Sequence, residues 1–210
     1  MKLVSYIKPN SVQHLFGAIE GDIIQNLNDC CSSNSIVELI LNKNWMETAK
    51  VFISKNPNKI DQLSDVKLLA TIPKPTSFRD AYAFRQHVAT SRKNRGVEMI
   101  PEFDEFPVFY FSNHNAMFGD GQKIELMPDH FHRLDYELEF AIVIGKGGKN
   151  ILSKDADKHI AGFCILNDIS ARRLQMEEMK LNLGPAKGKD FANVIGPYLV
   201  TPDELESKSI

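Results

Sequence analysis

The chain has 210 residues, 43% of them hydrophobic and 25% charged, with a formal net charge of −2. Those values describe a globular protein of one good-sized domain, or a catalytic domain with a small companion. They give no general electrostatic case for nucleic acid or an anionic membrane surface, and no apolar run approaches the roughly 18 residues of a membrane span. Cys30, Cys31 and Cys164 are too few for a disulfide framework and lack metal-type spacing. Free thiols and the lack of a secretory apolar region at Met1 lead to the expectation of a soluble cytoplasmic protein.

Residues 1–72 predict a small α+β unit. Residues 2–7 read as a strand, and 15–19 with 23–26 as a hairpin around Glu20-Gly21-Asp22. Residues 35–41 and 45–54 read as helices, with Ser33 or Asn34 as the N-cap, and 66–70 as a further strand. Ile72-Pro73-Lys74-Pro75-Thr76 is a stiff connection, placing the domain boundary between 1–72 and 73–210.

Residues 77–93 predict a helix with an apolar stripe at Ala81, Phe84 and Val88, and with Ser77 as a cap. On such a helix Asp80 and His87 lie two turns apart, about 10.5 Å along the axis. Residues 92–105 read as a charged loop or lid, 107–111 as a buried strand, 113–120 as a loop and 123–127 as a short strand. Asp129-His130-Phe131-His132 follows, where His130 and His132 stand at ligand spacing on a strand, although a loop entry is the better reading.

Residues 134–144 read as a strand closed by Gly145-Lys146-Gly147-Gly148. Strand side chains alternate faces, so Leu138, Phe140, Ile142 and Ile144 share one side and Glu137, Glu139, Ala141 and Val143 the other. Two carboxylates at that spacing stand about 7 Å apart at their Cα atoms and can converge on one cation. A polar pair that gives way to Ala141 and Val143 fits a metal-binding floor at the mouth of a core. Residues 160–166 predict a buried strand ending in Asn167-Asp168, a strand-to-helix corner, with Ser170 capping a helix through Leu181. Residues 183–191 read as a loop, 196–200 as the start of a strand and 201–204 as a turn. Glu137, Glu139 and Asp168 are all oxygen donors, which favours a hard cation (Mg²⁺, Ca²⁺ or Mn²⁺) over zinc. The glycine clusters lack the order of a phosphate loop or dinucleotide fingerprint, and no G-x-S-x-G serine elbow occurs.

Four ordered blocks carry a resemblance. They are Asp80-Ala81-Tyr82-Ala83-Phe84-Arg85-Gln86-His87, Leu134-Asp135-Tyr136-Glu137-Leu138-Glu139, Asn167-Asp168-Ile169-Ser170-Ala171-Arg172 with Gln175, and Gly188-Lys189-Asp190-Phe191. Together they resemble the fumarylacetoacetate hydrolase family over roughly residues 75–200. The resemblance implies an α+β, mainly β fold, a mixed β-sandwich roll with a small N-terminal α+β domain, usually in a homodimer. It implies a divalent metal, most simply Mg²⁺, held by Glu137, Glu139 and Asp168 with Asp80 as a further ligand. His87 would be the general base, Lys189 and Gln175 would stabilise an oxyanion or enolate, and Tyr82 with Arg92 or Arg95 would hold a substrate carboxylate. The implied substrate is a small keto acid, and the implied reaction is hydrolysis of a C–C bond in a β-diketo acid or acylpyruvate. The same site would serve a decarboxylase, hydratase or isomerase. Family members usually continue beyond the point matching Ile210, so the resemblance also implies a C-terminally incomplete catalytic domain, with a non-catalytic remnant as the rival expectation.

Overall fold

The structure is a computed structural model in which residues 1–128 and 132–206 are described. Three antiparallel strands open the chain: β1 (Lys2–Ile7), β2 (Leu15–Glu20) and β3 (Ile23–Asn26). Helices α1 (Ile36–Ile40) and α2 (Trp45–Lys55) follow. The cap of α1 is Ser35, not Ser33 or Asn34. Its side chain accepts the Glu38 amide, while the Glu38 carboxylate reaches back to the Asn34 amide at 2.7 Å. The Ser35-x-x-Glu38 spacing is that of a capping box, which satisfies otherwise orphaned donors. Strands β4 (Ile60–Gln62) and β5 (Lys67–Leu68) pair with β3 and β1.

The stretch 77–93 is not one helix. It holds a strand, β6 (Arg79–Ala81), then α3 (Arg85–Asn94). After α4 (Glu102–Glu105), β7 (Phe109–Phe111) pairs antiparallel with β6 as a separate two-stranded sheet. The Arg79 guanidinium sits 4.6 Å from the Phe111 ring centroid and 5.4 Å from that of Phe109. This long-range pairing and cation–π stacking override a local helical period. Phe109 and Phe111 are exposed, so the expected buried strand at 107–111 lies at the surface instead. Residues 113–120 include β8 (Met117–Phe118), and 123–127 form no strand. His132 is exposed, and His130 lies outside the described residues.

The longest strands are β9 (Leu134–Ile144) and β10 (Ile160–Ala171), paired antiparallel over most of their length. Asp168 lies within β10, short of the corner where α5 (Arg172–Met179) begins. Ser170 does not cap α5, because its hydroxyl donates to the Asp168 carbonyl. A short helix, α6 (Ala186–Lys189), interrupts the expected loop. Strands β11 (Asn193–Ile195) and β12 (Leu199–Val200) flank β10, and 202–206 form a helix, α7 (Pro202–Glu206), where the sequence suggests a turn.

Among the described residues one ten-stranded mixed sheet results, running β4-β3-β2-β1-β12-β10-β11-β8, with β5 joined to β1 and β9 to β10. The β1–β12 pair carries hydrogen bonding across the connection at 72–76. The main core gathers Leu3 and Phe16 from the first strands, Ile36 and Leu39 from α1, Cys164 and Leu166 from β10, and Leu199 from β12. Each such aliphatic or aromatic side chain contributes about 1.5–3 kcal/mol when fully buried. Ala141 and Val143 of β9 pack against this cluster. That contact turns the Glu137 and Glu139 side of the strand inward, next to the core.

Candidate metal centre

Three separate elements bring carboxylates together. Glu139 comes from β9, Asp168 from β10 and Asp80 from the small β6–β7 sheet. One carboxylate oxygen of each lies within 4.8 Å of those of the other two. Asp168 is 2% exposed, and its buried Oδ1 has no hydrogen-bond partner among the described residues. An orphaned buried carboxylate oxygen is costly, and a cation would satisfy it. An all-oxygen set suits a hard divalent ion, so these residues fit the expected group.

The remaining valence of Asp168 is taken by Lys189, whose Nζ donates to Asp168 Oδ2. Lys189 is itself 3% exposed and also reaches Glu137 Oε2 at 2.5 Å. Gly188 sets that position. A Cβ there would stand 2.7 Å from the Gln175 backbone, so glycine lets α6 lie directly on α5. Glu137 stands opposite Asp168 in the β9–β10 register. Its other oxygen accepts from Arg172 Nη2 at 2.9 Å. Both Glu137 oxygens are thus engaged by cationic side chains, and Glu137 is not in the group of three. Arg172 also donates to Asp135 at 2.9 Å and to Gln175 Oε1 at 3.3 Å.

The electrostatics follow from this geometry. Burial, and then the negative charges of Asp80, Asp168 and Glu137, push Glu139 up to about 8. Burial pushes Asp168 up to about 6 against the pull of Lys189. Burial acts in the same direction on Glu137, but Lys189 and Arg172 outweigh it and hold that carboxyl below its usual range. For Lys189, burial is outweighed by Asp168 and Glu137, so the ammonium is held charged. A cluster whose carboxyls resist ionisation without a cation is one that a cation neutralises.

The other expected residues lie further out. Among the described residues, His87 on α3 is exposed and has no hydrogen bond to the three carboxylates. It does not share a helix with Asp80. Tyr82 is exposed in the β6–α3 link, Arg95 is exposed and bonded to the Ser91 carbonyl, and Arg92 Nε donates to the Glu98 carbonyl at 2.5 Å. Two residues were not singled out from sequence. Arg172 directly follows the strand that carries Asp168, and that position is the available signal. Tyr110 sits in a run of apolar residues with no local signal, and its hydroxyl donates to Asp80 Oδ2 at 2.5 Å.

This mainly β fold with its oxygen-ligand cluster belongs to a known class. Residues 76–209 match the family model described as the fumarylacetoacetate (FAA) hydrolase C-terminal domain, and the chain belongs to that family. Oxaloacetate tautomerase YisK of Bacillus subtilis (strain 168) is 34% identical over 146 residues, spanning 69% of this chain and 46% of that protein. Maleylpyruvate hydrolase of Aquipseudomonas alcaligenes is 29% identical over 150 residues, 69% of this chain and 50% of that one. Among solved structures, the fumarylacetoacetate hydrolase of psychrophilic Exiguobacterium antarcticum superposes with a TM-score of 0.68 at 23% identity, covering 97% of this chain and 67% of that one. The chain therefore spans about half the length of these two curated relatives. The family is one of enzymes, and its members here include a tautomerase and a hydrolase. No helix among the described residues is long and apolar enough to cross a membrane.

Proposed function

We propose that this chain carries the metal site of an enzyme that cleaves a C–C bond in a small β-diketo acid of the acylpyruvate type. The observation that carries this reading is the meeting of the Asp168, Asp80 and Glu139 carboxylates, in which Asp168 Oδ1 is buried and unpartnered among the described residues while Lys189 holds the other Asp168 oxygen. Asp80, Glu139 and Asp168 would hold Mg²⁺, Mn²⁺ or Ca²⁺, with Glu137 beside them. The bound ion would supply Lewis acidity to a keto oxygen.

The chain's own groups do the rest. Lys189 has three N–H donors and gives two to Glu137 and Asp168, leaving one for developing enolate charge. The Gln175 amide, beside Arg172, would share that task. His87 would take a proton from water so that the oxygen attacks the acyl carbon. The C–C bond electrons pass to the departing pyruvate unit, which gains a proton, and the products are a carboxylate and pyruvate. Tyr82, with Arg92 or Arg95, would hold the substrate carboxylate.

Proton transfer without bond cleavage is a second reading. It is favoured by the 34% identity to an oxaloacetate tautomerase, because one enolate-stabilising site serves both reactions. Purified protein with Mg²⁺ and acetylpyruvate should release pyruvate, and chelator should abolish the release. Chelator-insensitive turnover would reject the metal site. Oxaloacetate ketonisation without acetylpyruvate cleavage would replace the first reading by the second. His87→Ala should lose cleavage by about 100-fold or more while keeping Mg²⁺ affinity, and a large loss of affinity would remove His87 from the role of base.

A further inference from the structure

The three carboxylates are not supported alike. Asp168 is fixed by Lys189 and by its place inside a long paired strand, and Glu139 lies in the middle of β9. Asp80 comes instead from a three-residue strand of a two-stranded sheet, with Arg79 and Ala81 on the opposite face. An isolated two-strand ribbon is marginal on its own, and a carboxylate rotates about its last bond unless something holds it.

Tyr110 supplies such a hold. It is the direct cross-strand partner of Asp80, so the two side chains leave the ribbon on the same face. Its hydroxyl donates to Asp80 Oδ2 at 2.5 Å. Arg79, stacked on Phe109 and Phe111, occupies the other face and makes no contact with that hydrogen bond. A carboxylate has about four lone-pair sites, so one donated hydrogen bond leaves room for an ion.

We propose that Tyr110 is a positioning residue for the cation site, orienting the Asp80 carboxylate toward Glu139 and Asp168 through its phenolic hydroxyl. The inference rests on the cation-binding reading above. Hydrogen-bond partners of metal ligands typically contribute 10–100-fold in affinity.

The test is calorimetric titration of the purified chain with Mn²⁺. Tyr110→Phe removes only the hydroxyl and should weaken binding by at least about 10-fold. In a double-mutant cycle, the same change in an Asp80→Ala background should cost nothing further, because the hydroxyl acts through Asp80. Arg79→Gln, which loosens the ribbon without touching that hydrogen bond, should weaken binding far less. Unchanged Mn²⁺ affinity in Tyr110→Phe would overturn the proposal, as would additive losses in the cycle or an equal loss from Arg79→Gln. Should Tyr110→Phe fail to fold, Tyr110→Gln, which keeps a donor, must bind Mn²⁺ more tightly than Tyr110→Leu, and equal affinities would overturn it. Glu139→Gln separates the two levels of claim. If that change leaves Mn²⁺ affinity untouched, the cation site itself is wrong. If it abolishes binding while Tyr110→Phe does nothing, only the role of Tyr110 fails.

Discussion

The ribbon of β9 and β10 has two faces built from alternate residues of the same two strands, and they meet opposite fates. The inner face carries Glu137, Glu139 and Asp168, continues through Ala141, Val143, Cys164 and Leu166, and packs against the core. The outer face is apolar, yet Leu138 is 74% exposed, Phe140 54% and Ile165 54%. Phe140 stacks on Phe163 at 5.0 Å between ring centroids, so the outer face is organised although it is open. Within this chain the buried side is thus the one that carries the carboxylates. Carboxylates are held inward where Lys189 and Arg172 offset them, at a desolvation cost that suits a functional cluster more than a structural one.

The largest expected effect tests that offset. Lys189→Met should destabilise the cation-free protein by about 3–5 kcal/mol in urea titration, because it leaves buried negative charge uncompensated. A loss below about 1 kcal/mol would mean that the inner face tolerates its carboxylates without Lys189.

A smaller effect comes from pH. Glu139 is raised to about 8 from an ordinary 4.5, so the folded chain holds a proton that the unfolded chain has released. The stabilisation is complete below the ordinary value and is lost as pH rises through the raised one. Asp168, raised to about 6, acts in the same direction over a lower window. The Tm of chelator-treated protein should therefore fall between about pH 5 and pH 8, and Mn²⁺ at the upper end should restore it. Glu137 has the opposite sign, and its contribution is lost only below its usual range, outside that window. A flat or rising Tm would remove the inner-face carboxylates as the controlling groups.

The smallest effect belongs to the outer face. Leu138→Lys with Phe140→Lys should leave Mn²⁺ affinity within about twofold, since these side chains point away from the cluster. The same pair should lower the fluorescence of bound anilinonaphthalene sulfonate, a probe of open apolar surface. A larger change in Mn²⁺ affinity would show that the two faces are coupled.

The bounds of β9 were legible residue for residue, because period-two alternation and the following glycines are local signals. The same holds for β1 and β3. The segment 77–93 reads as one helix but folds as a strand and a helix for the opposite reason. Its Ala81, Phe84, Val88 spacing is helical, but residues 79–81 are claimed by Phe109–Phe111, and nothing near Asp80 in sequence announces that pairing.

The sequence by itself determined the alternation that divides β9 into a carboxylate side and an apolar side, the hard-cation character of an oxygen donor set, and the family to which the ordered blocks point. Tertiary structure alone decided which carboxylates meet. It drew Asp80 in through a strand pair and set Glu137 against Lys189 and Arg172. It also left the apolar side of β9 open. The physical reason is range. Strand periodicity is written in neighbouring residues, whereas convergence depends on partners such as Tyr110 and Lys189, which lie 30 and 21 positions away from Asp80 and Asp168.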